Sequence, residues 1–332
     1  MDPLTHLTSG GLGSRALRER FPGRTLPWIA VTAAVLPDID NFVGFGNPER
    51  YMIYHRGITH SFAGGLLLAV LLAAAFSLFR RSVRFRHAAL LAYAFILVHI
   101  LLDLCTSYGT QVLSPFTNRR YTLNCLFIVD PIFLAALVSL WGIPRLWRRH
   151  ARGFALAGMV VVLAYPLASL GIRLGLERYL DGRLRSQGLA YDRLELSPEG
   201  LAPFYWKVIL SDGPDYRIAG LELLRPSAPL RFEAFKKADP ALMSRLGQHV
   251  SFFNTFAWFA AYPVMEAHET AAGSRVTFGD LRFYSTLRSL QNAMGGRSSP
   301  FSLTAVFDAH KKLVGYEYGR GGGAALTQRV EE

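Results

Sequence analysis

Histidine and aspartate recur in the first third of this chain at spacings that suit metal chemistry. Four short motifs hold them: Asp2-Pro3-Leu4-Thr5-His6, Pro37-Asp38-Ile39-Asp40, His55-Arg56-Gly57-Ile58-Thr59-His60-Ser61 and His99-Ile100-Leu101-Leu102-Asp103. On a helix of about 3.6 residues per turn, side chains four apart share a face, which pairs Asp2 with His6 and His99 with Asp103. Imidazole nitrogens and carboxylate oxygens are ordinary ligands of zinc and related divalent cations. Asp38 and Asp40 are two apart, so a regular helix would point them in different directions. At a fraying helix end they can converge, or one can bind metal while the other orients a histidine. The expected metal ligands are therefore His6, Asp40, His60, His99 and Asp103. Asp38, Asp40 and His55 are the candidates for catalysis. The chemistry would be hydrolysis: a cation lowers the pKa of a bound water and polarises a phosphoryl or carbonyl oxygen, and Asp38 or Asp40, if outside the metal's ligand set, serves as general base.

The bland alternative is a scatter of polar residues. Residues 1–103 contain four aspartates, all inside the motifs, and five histidines, of which only His87 lies outside them. Ionisable groups in or beside apolar spans are costly to bury, so a set of eight in motifs argues for a site. Weaker candidates surround it. Arg56 could clamp a phosphate or pair with a site carboxylate. The segments Thr106-Ser107-Tyr108-Gly109-Thr110 and Ser114-Pro115-Phe116, Ser107 and Thr110 foremost, could contact substrate or simply cap and turn the chain. Asp2 is a further possible ligand. Asp130, just before Pro131, could join the site or cap a helix. His249, His268 and His310 stand alone in a polar region and read as structural or surface residues.

The elements that would position these motifs are apolar helices. Six stretches within residues 1–175 approach the roughly 20 apolar residues that cross a hydrocarbon core about 30 Å thick: 3–20, 26–45, 58–79, 87–107, 126–147 and 154–174. The first is short and rich in glycine, and small residues let it pack closely against a neighbour. Arginines gather between the spans, at Arg15, Arg18, Arg20 and Arg24, at Arg80, Arg81, Arg84 and Arg86, and at Arg145, Arg148, Arg149 and Arg152. This placement fits cytoplasmic loops. It explains the net charge of +12 (Lys+Arg 36, Asp+Glu 24) without a nucleic-acid partner. With those loops inside, the chain would cross six times and all four motifs would reach the outer face. The loop charges are independent of the His and Asp positions, so the agreement has weight.

From residue 176 the chain turns polar. Strand-like runs at 204–210 and 216–221 flank a turn, another strand bends within 275–284, and 303–307 with 313–318 form a second hairpin. Residues 233–262 read as helical. The fold expected is an α-helical membrane bundle of about six helices (1–175), then a small soluble α+β domain with antiparallel strands (176–320), then a disordered tail (321–332). Cys105 and Cys125, the two cysteines, sit near outer helix ends and could pair or serve as small core residues. No cleavable signal peptide is recognisable.

The combination Asp2-x-x-Thr5-His6 with Gly10, Pro37-Asp38-Ile39-Asp40, His55-Arg56-Gly57-x-Thr59-His60-Ser61 and His99-x-x-x-Asp103 resembles the family of LexA-regulated inner-membrane proteins assigned as metal-dependent hydrolases. The resemblance is specific over about residues 1–130 and looser to about 175. It implies a multi-pass protein of the bacterial inner membrane. The order His6, Asp40, His60, His99-x-x-x-Asp103 also resembles zinc-dependent phospholipases C and single-strand nucleases. That likeness implies zinc and phosphoester substrates. Those enzymes carry an N-terminal Trp and a second His-x-x-x-Asp, neither of which is present, so one or two ions are expected rather than three. Together these features point to a membrane hydrolase with a divalent metal, zinc first, acting on an amphiphilic ester among membrane lipids. The C-terminal domain is expected on the periplasmic side. Rival readings are a non-enzymatic protein that holds a structural metal, or one that transports it. Transport would need polar residues continuing across the bilayer, which the last two spans scarcely offer.

Overall fold

A computed structural model describes residues 1–21, 25–79, 84–145, 147–271, 273–293, 301–319 and 326–329. The chain divides into two compact units. The first comprises residues 1–45, 54–174 and 200–203, and the second 46–53, 175–199 and 204–332.

The first unit is helical. Helix α1 (Pro3–Ala16) starts where the Asp2 side chain accepts a hydrogen bond from Thr5 N and where Pro3, lacking an N–H, costs nothing. It packs on α2 (Leu26–Val35) at close range: a Cβ on Gly10 would lie 2.8 Å from Ala34 Cβ and 2.9 Å from the Ala30 carbonyl. Only glycine permits that approach. Helix α2 does not run to residue 45 as its apolar sequence suggests. It gives way to a 3-10 turn, Leu36–Phe42, entered through Pro37. A short helix α3 (Pro48–Tyr54) occupies what sequence reading treats as loop; most of it belongs to the second unit. A second 3-10 turn, Ile58–His60, precedes α4 (Phe62–Phe79). Helices α5 (Phe85–Leu104), α6 (Pro131–Gly142) and the first part of α7 (Ala151–Ser186) complete the unit. Its interior includes an apolar cluster with Ile29, Ala33, Ala69, Ala92, Ile96 and Ile100, and another with Leu12, Leu102, Leu126, Phe133, Leu137 and Val162.

Of the six expected spans, two are long and apolar enough to cross a membrane among the described residues: α5 and α7, with mean hydropathy 1.9 and 2.0. A third exists if the bent pair Pro48–His60 and Phe62–Leu78 counts as one span. Helix α1 has 14 residues, α2 has 10 and α6 has 12, each shorter than a regular crossing requires. The apolar runs were read correctly as apolar, but prolines and turns interrupt them. The last helix departs the other way. It continues past residue 174 to Ser186 because Leu176, Leu180 and Leu184, spaced by four, supply an apolar stripe that joins the second unit's core. Arg24, Arg80 and Arg81 lie outside the described residues.

The second unit holds two antiparallel sheets. One has the order β1 (Arg193–Pro198), β2 (Tyr205–Asp212), β3 (Asp215–Glu222), β4 (Glu233–Lys236). The β2–β3 hairpin turns at Gly213-Pro214, with Asp212 opposite Asp215. The other has the order β5 (Pro263–Thr270), β6 (Gly273–Asp280), β7 (Ser302–Asp308), β8 (Leu313–Gly319), β9 (Leu326–Arg329). Within the segment expected to be disordered, Leu326–Arg329 pairs with β8, while residues 321–325 and 330–332 lie outside the described set. Helices α8 (Pro240–His249) and α9 (Ser251–Phe259) occupy the region read as helical, whose first residues form β4 instead. Lys207 is fully buried and donates to the carbonyls of Arg282 and Tyr284; burial holds its ammonium below the ordinary lysine pKa.

Candidate metal centre

Helix α5 presents His99 and Asp103 on one face, one turn apart, and buries both. His99 Nδ1 lies 2.7 Å from the Ala34 carbonyl of α2. A carbonyl can only accept, so Nδ1 carries the proton and Nε2 keeps its lone pair for a ligand. His60, on the 3-10 turn before α4, is oriented in the same way: its Nδ1 is 3.0 Å from Asp40 Oδ2, again leaving Nε2. The two Nε2 atoms are 3.1 Å apart. Asp103 Oδ2 stands 3.1 Å from His60 Nε2 and 3.4 Å from His99 Nε2. Asp38 Oδ1 stands 3.4 Å and 3.7 Å from the same two nitrogens.

Four acceptor atoms thus converge with no proton between the two imidazole nitrogens. Ligands about 2.0–2.1 Å from a tetrahedral cation are separated by about 3.3–3.4 Å. The measured separations fall around that value. The set Asp38, His60, His99 and Asp103 fits a divalent cation, and Asp103 Oδ2, buried without a hydrogen bond, is the kind of orphan that a cation satisfies.

Asp40 occupies a different position from the one its motif suggested. Its Oδ1 is 2.9 Å from His55 Nδ1, and its Oδ2 accepts from Arg56 N at 2.9 Å, from Thr59 Oγ1 at 2.8 Å and from His60 Nδ1. A carboxylate so engaged is placed to orient histidines, and it is Asp38 rather than Asp40 that faces the His60 and His99 Nε2 atoms. A second grouping, Asp38, Asp40 and His55, also lies within ligand range. His6 is brought to the centre by α1 without entering the four-atom set. Its ring stacks on His99 with centroids 3.7 Å apart, and its Nε2 is 3.3 Å from Asp103 Oδ1. Both its nitrogens are buried without hydrogen bonds.

Arg56 is built into the centre. At φ 58° it sits in the left-handed region that non-glycine residues rarely adopt. That conformation lets its backbone N–H reach Asp40 while its Nη2 lies 2.9 Å from Asp103 Oδ1 and its Nη1 donates to Thr106 Oγ1 at 2.5 Å. The Met1 amino group also pairs with Asp103 Oδ1. The guanidiniums of Arg56 and Arg120 lie 5.2 Å and 5.3 Å from the Tyr108 ring centroid, and Arg120 Nη2 donates to the His55 carbonyl at 3.0 Å.

The remaining candidates have these partners. Asp2 caps α1 and accepts from Thr5 Oγ1. Asp130 caps α6 through Ile132 N and Phe133 N and accepts from Tyr165 Oη. Ser107 and Thr110 are buried in the loop after α5, where the Thr110 backbone pairs with Tyr121. Cys105 and Cys125 are free and buried, joined through the Cys125 N–H to the Cys105 carbonyl at 2.8 Å. Thr59 lay inside a motif already marked, and Thr106 and Tyr108 inside a loop read as a possible substrate contact; Arg120 and the Ala34 carbonyl, which sequence reasoning missed, are brought in only by the fold.

A chain whose N-terminal half is apolar helix around buried His and Asp residues defines a class of membrane protein, and the sequence profile of the YdjM inner membrane protein family matches residues 1–175. The chain belongs to that family. It is also 29% identical over 198 residues to the uncharacterized protein YfhP of Bacillus subtilis (strain 168), covering 56% of this chain. The match spans 59% of that relative's length. No solved structure matches.

Proposed function

We propose that this protein is a membrane-embedded, metal-dependent hydrolase of an ester, a phosphoester first, in an amphiphilic substrate. The observation that carries the reading is the four-atom set Asp38 Oδ1, His60 Nε2, His99 Nε2 and Asp103 Oδ2, with tetrahedral spacing and a carboxylate and a carbonyl holding the two rings. A divalent cation held there, zinc by the ligand types, would supply Lewis acidity and lower the pKa of water. His55 is the residue suited to accept a proton. His55 Nδ1 keeps its proton and donates it in a hydrogen bond to Asp40 Oδ1, which makes Nε2 the basic nitrogen, and the His55 ring lies 5.9 Å from that of His60. Asp38 and Asp40, the carboxylates first considered as bases, are better used as ligand and orienter. Arg56 holds Asp103 in place and sets positive charge beside the reacting region.

The positive-inside pattern supports a multi-pass path that leaves the C-terminal unit on the periplasmic face. The test of function is turnover of phosphodiester and carboxylester panels by purified protein with and without chelator. His55→Ala should retain metal and lose about 100-fold or more in rate. Activity indifferent to chelator, or unchanged in His55→Ala, would overturn the reading and favour a structural or transported ion.

A further inference from the structure

The turn that carries Asp38 and Asp40 is two-faced. In a 3-10 helix residues three apart eclipse one another. Asp40 points inward and is buried, while Ile39 and Phe42, three apart, share the outer face and are 51% and 79% exposed. Val43 and Phe45 follow at 55% and 89%. On the other side of Arg56 the loop after α5 does the same. Arg56 N donates to Asp40, and Arg56 O accepts from Gln111 N at 3.0 Å, so one residue ties both elements together. That loop then turns outward at Phe116, which is 86% exposed. Large side chains left bare at this density mark an interaction surface.

The occupant is fixed by what adjoins the rim. The chain belongs to a membrane family. The turn packs on α4, whose Leu66, Leu67 and Leu71 are likewise exposed along an uninterrupted apolar helix. Arg119, exposed next to the loop, is placed as an interfacial cation would be. We infer that the rim formed by Ile39, Phe42, Val43, Phe45 and Phe116 inserts at the headgroup–acyl boundary of one bilayer leaflet, so that the turn bearing Asp38 and Asp40 meets the headgroup of a phospholipid. The substrate half of this inference rests on the hydrolase reading; the immersion does not.

Phe45→Trp and Phe116→Trp test it, each reconstituted as the full chain in phosphatidylethanolamine/phosphatidylglycerol vesicles. At such exposed positions the melting temperature should match that of the wild type. The emission added over wild type should be lost mostly to lipids brominated in their acyl chains and little to aqueous iodide. Quenching by iodide and not by brominated lipid would overturn the proposal. Metal analysis on the same samples separates the two claims. A metal-free protein whose added tryptophans are quenched by brominated lipid keeps the rim in the leaflet and removes the ester chemistry.

Discussion

Two aspartates two residues apart face different partners here, and a pair of substitutions tests whether they divide the work. Asp38 Oδ1 faces both imidazole Nε2 atoms, whereas both Asp40 oxygens are taken by protein donors. Asp38→Asn should therefore strip most of the metal from purified protein. Asp40→Asn should leave binding in place but weaken it by about 10–100-fold, the usual cost of removing a group that orients a ligand histidine. Elemental analysis across a series of metal-buffered solutions reads both, and equal losses in the two variants would refute the division of roles. The convergence of His60, His99 and Asp103 was legible in the sequence, because one helical turn separates two of them and the third sits in a dense motif. The sequence could not divide Asp38 from Asp40. Their assignment depends on where a 3-10 turn begins, and on Arg56 and Thr59 having already claimed one carboxylate. His6 shows the opposite limit. Its motif was recognised, yet its ring ends up stacked beside the four-atom set.

At the scale of elements, the centre depends on interruptions in apolar helices. Non-helical backbone at membrane depth is tolerated where it lines a protein interior. The break before α4 is closed by Ser61, whose hydroxyl donates to the Ile58 carbonyl and accepts from Gly64 N at 2.9 Å. A Cβ on Gly64 would collide with the backbone carbonyl of Ile58. Gly64→Ala should thus push the turn bearing His60 outward, at a cost of about 1–3 kcal/mol and with lowered metal content. Gly153→Ala in α7, where nothing lies within 4 Å, should be harmless. Thermal melts and metal analysis of the two variants check this. Composition alone reads the α4 and α5 runs well. It misreads α2 and α6, because a hydropathy window averages across the 3-10 turn entered at Pro37 and past the start of α6 at Pro131. In the second unit, hairpins with turn residues were legible (β2–β3, β7–β8). Strand β5, with several polar residues, and the brief strands β4 and β9 were not, since pairing rather than pattern defines them.

For the whole molecule, the arginine-rich segments set the expected orientation. With the arginine-rich segments on the cytoplasmic side, alkaline phosphatase fused to the C-terminus should be active and a fluorescent protein in its place dark; the reverse pattern would invert the proposed topology. A different consequence follows from the origin of the four ligand atoms. They come from the turn after α2, the break before α4, and α5, stretches far apart in the chain. An unfolded chain cannot hold them together, so an ion taken up there would bind only the native state, and mass action would then govern how long that state survives heating. Each tenfold rise in free metal above its dissociation constant should add about 1.4 kcal/mol to the native state. The melting midpoint should climb with the logarithm of free zinc in wild type and stay flat in Asp103→Ala. In a cell, the supply of the ion would then set not only how fast this protein works but how much of it persists.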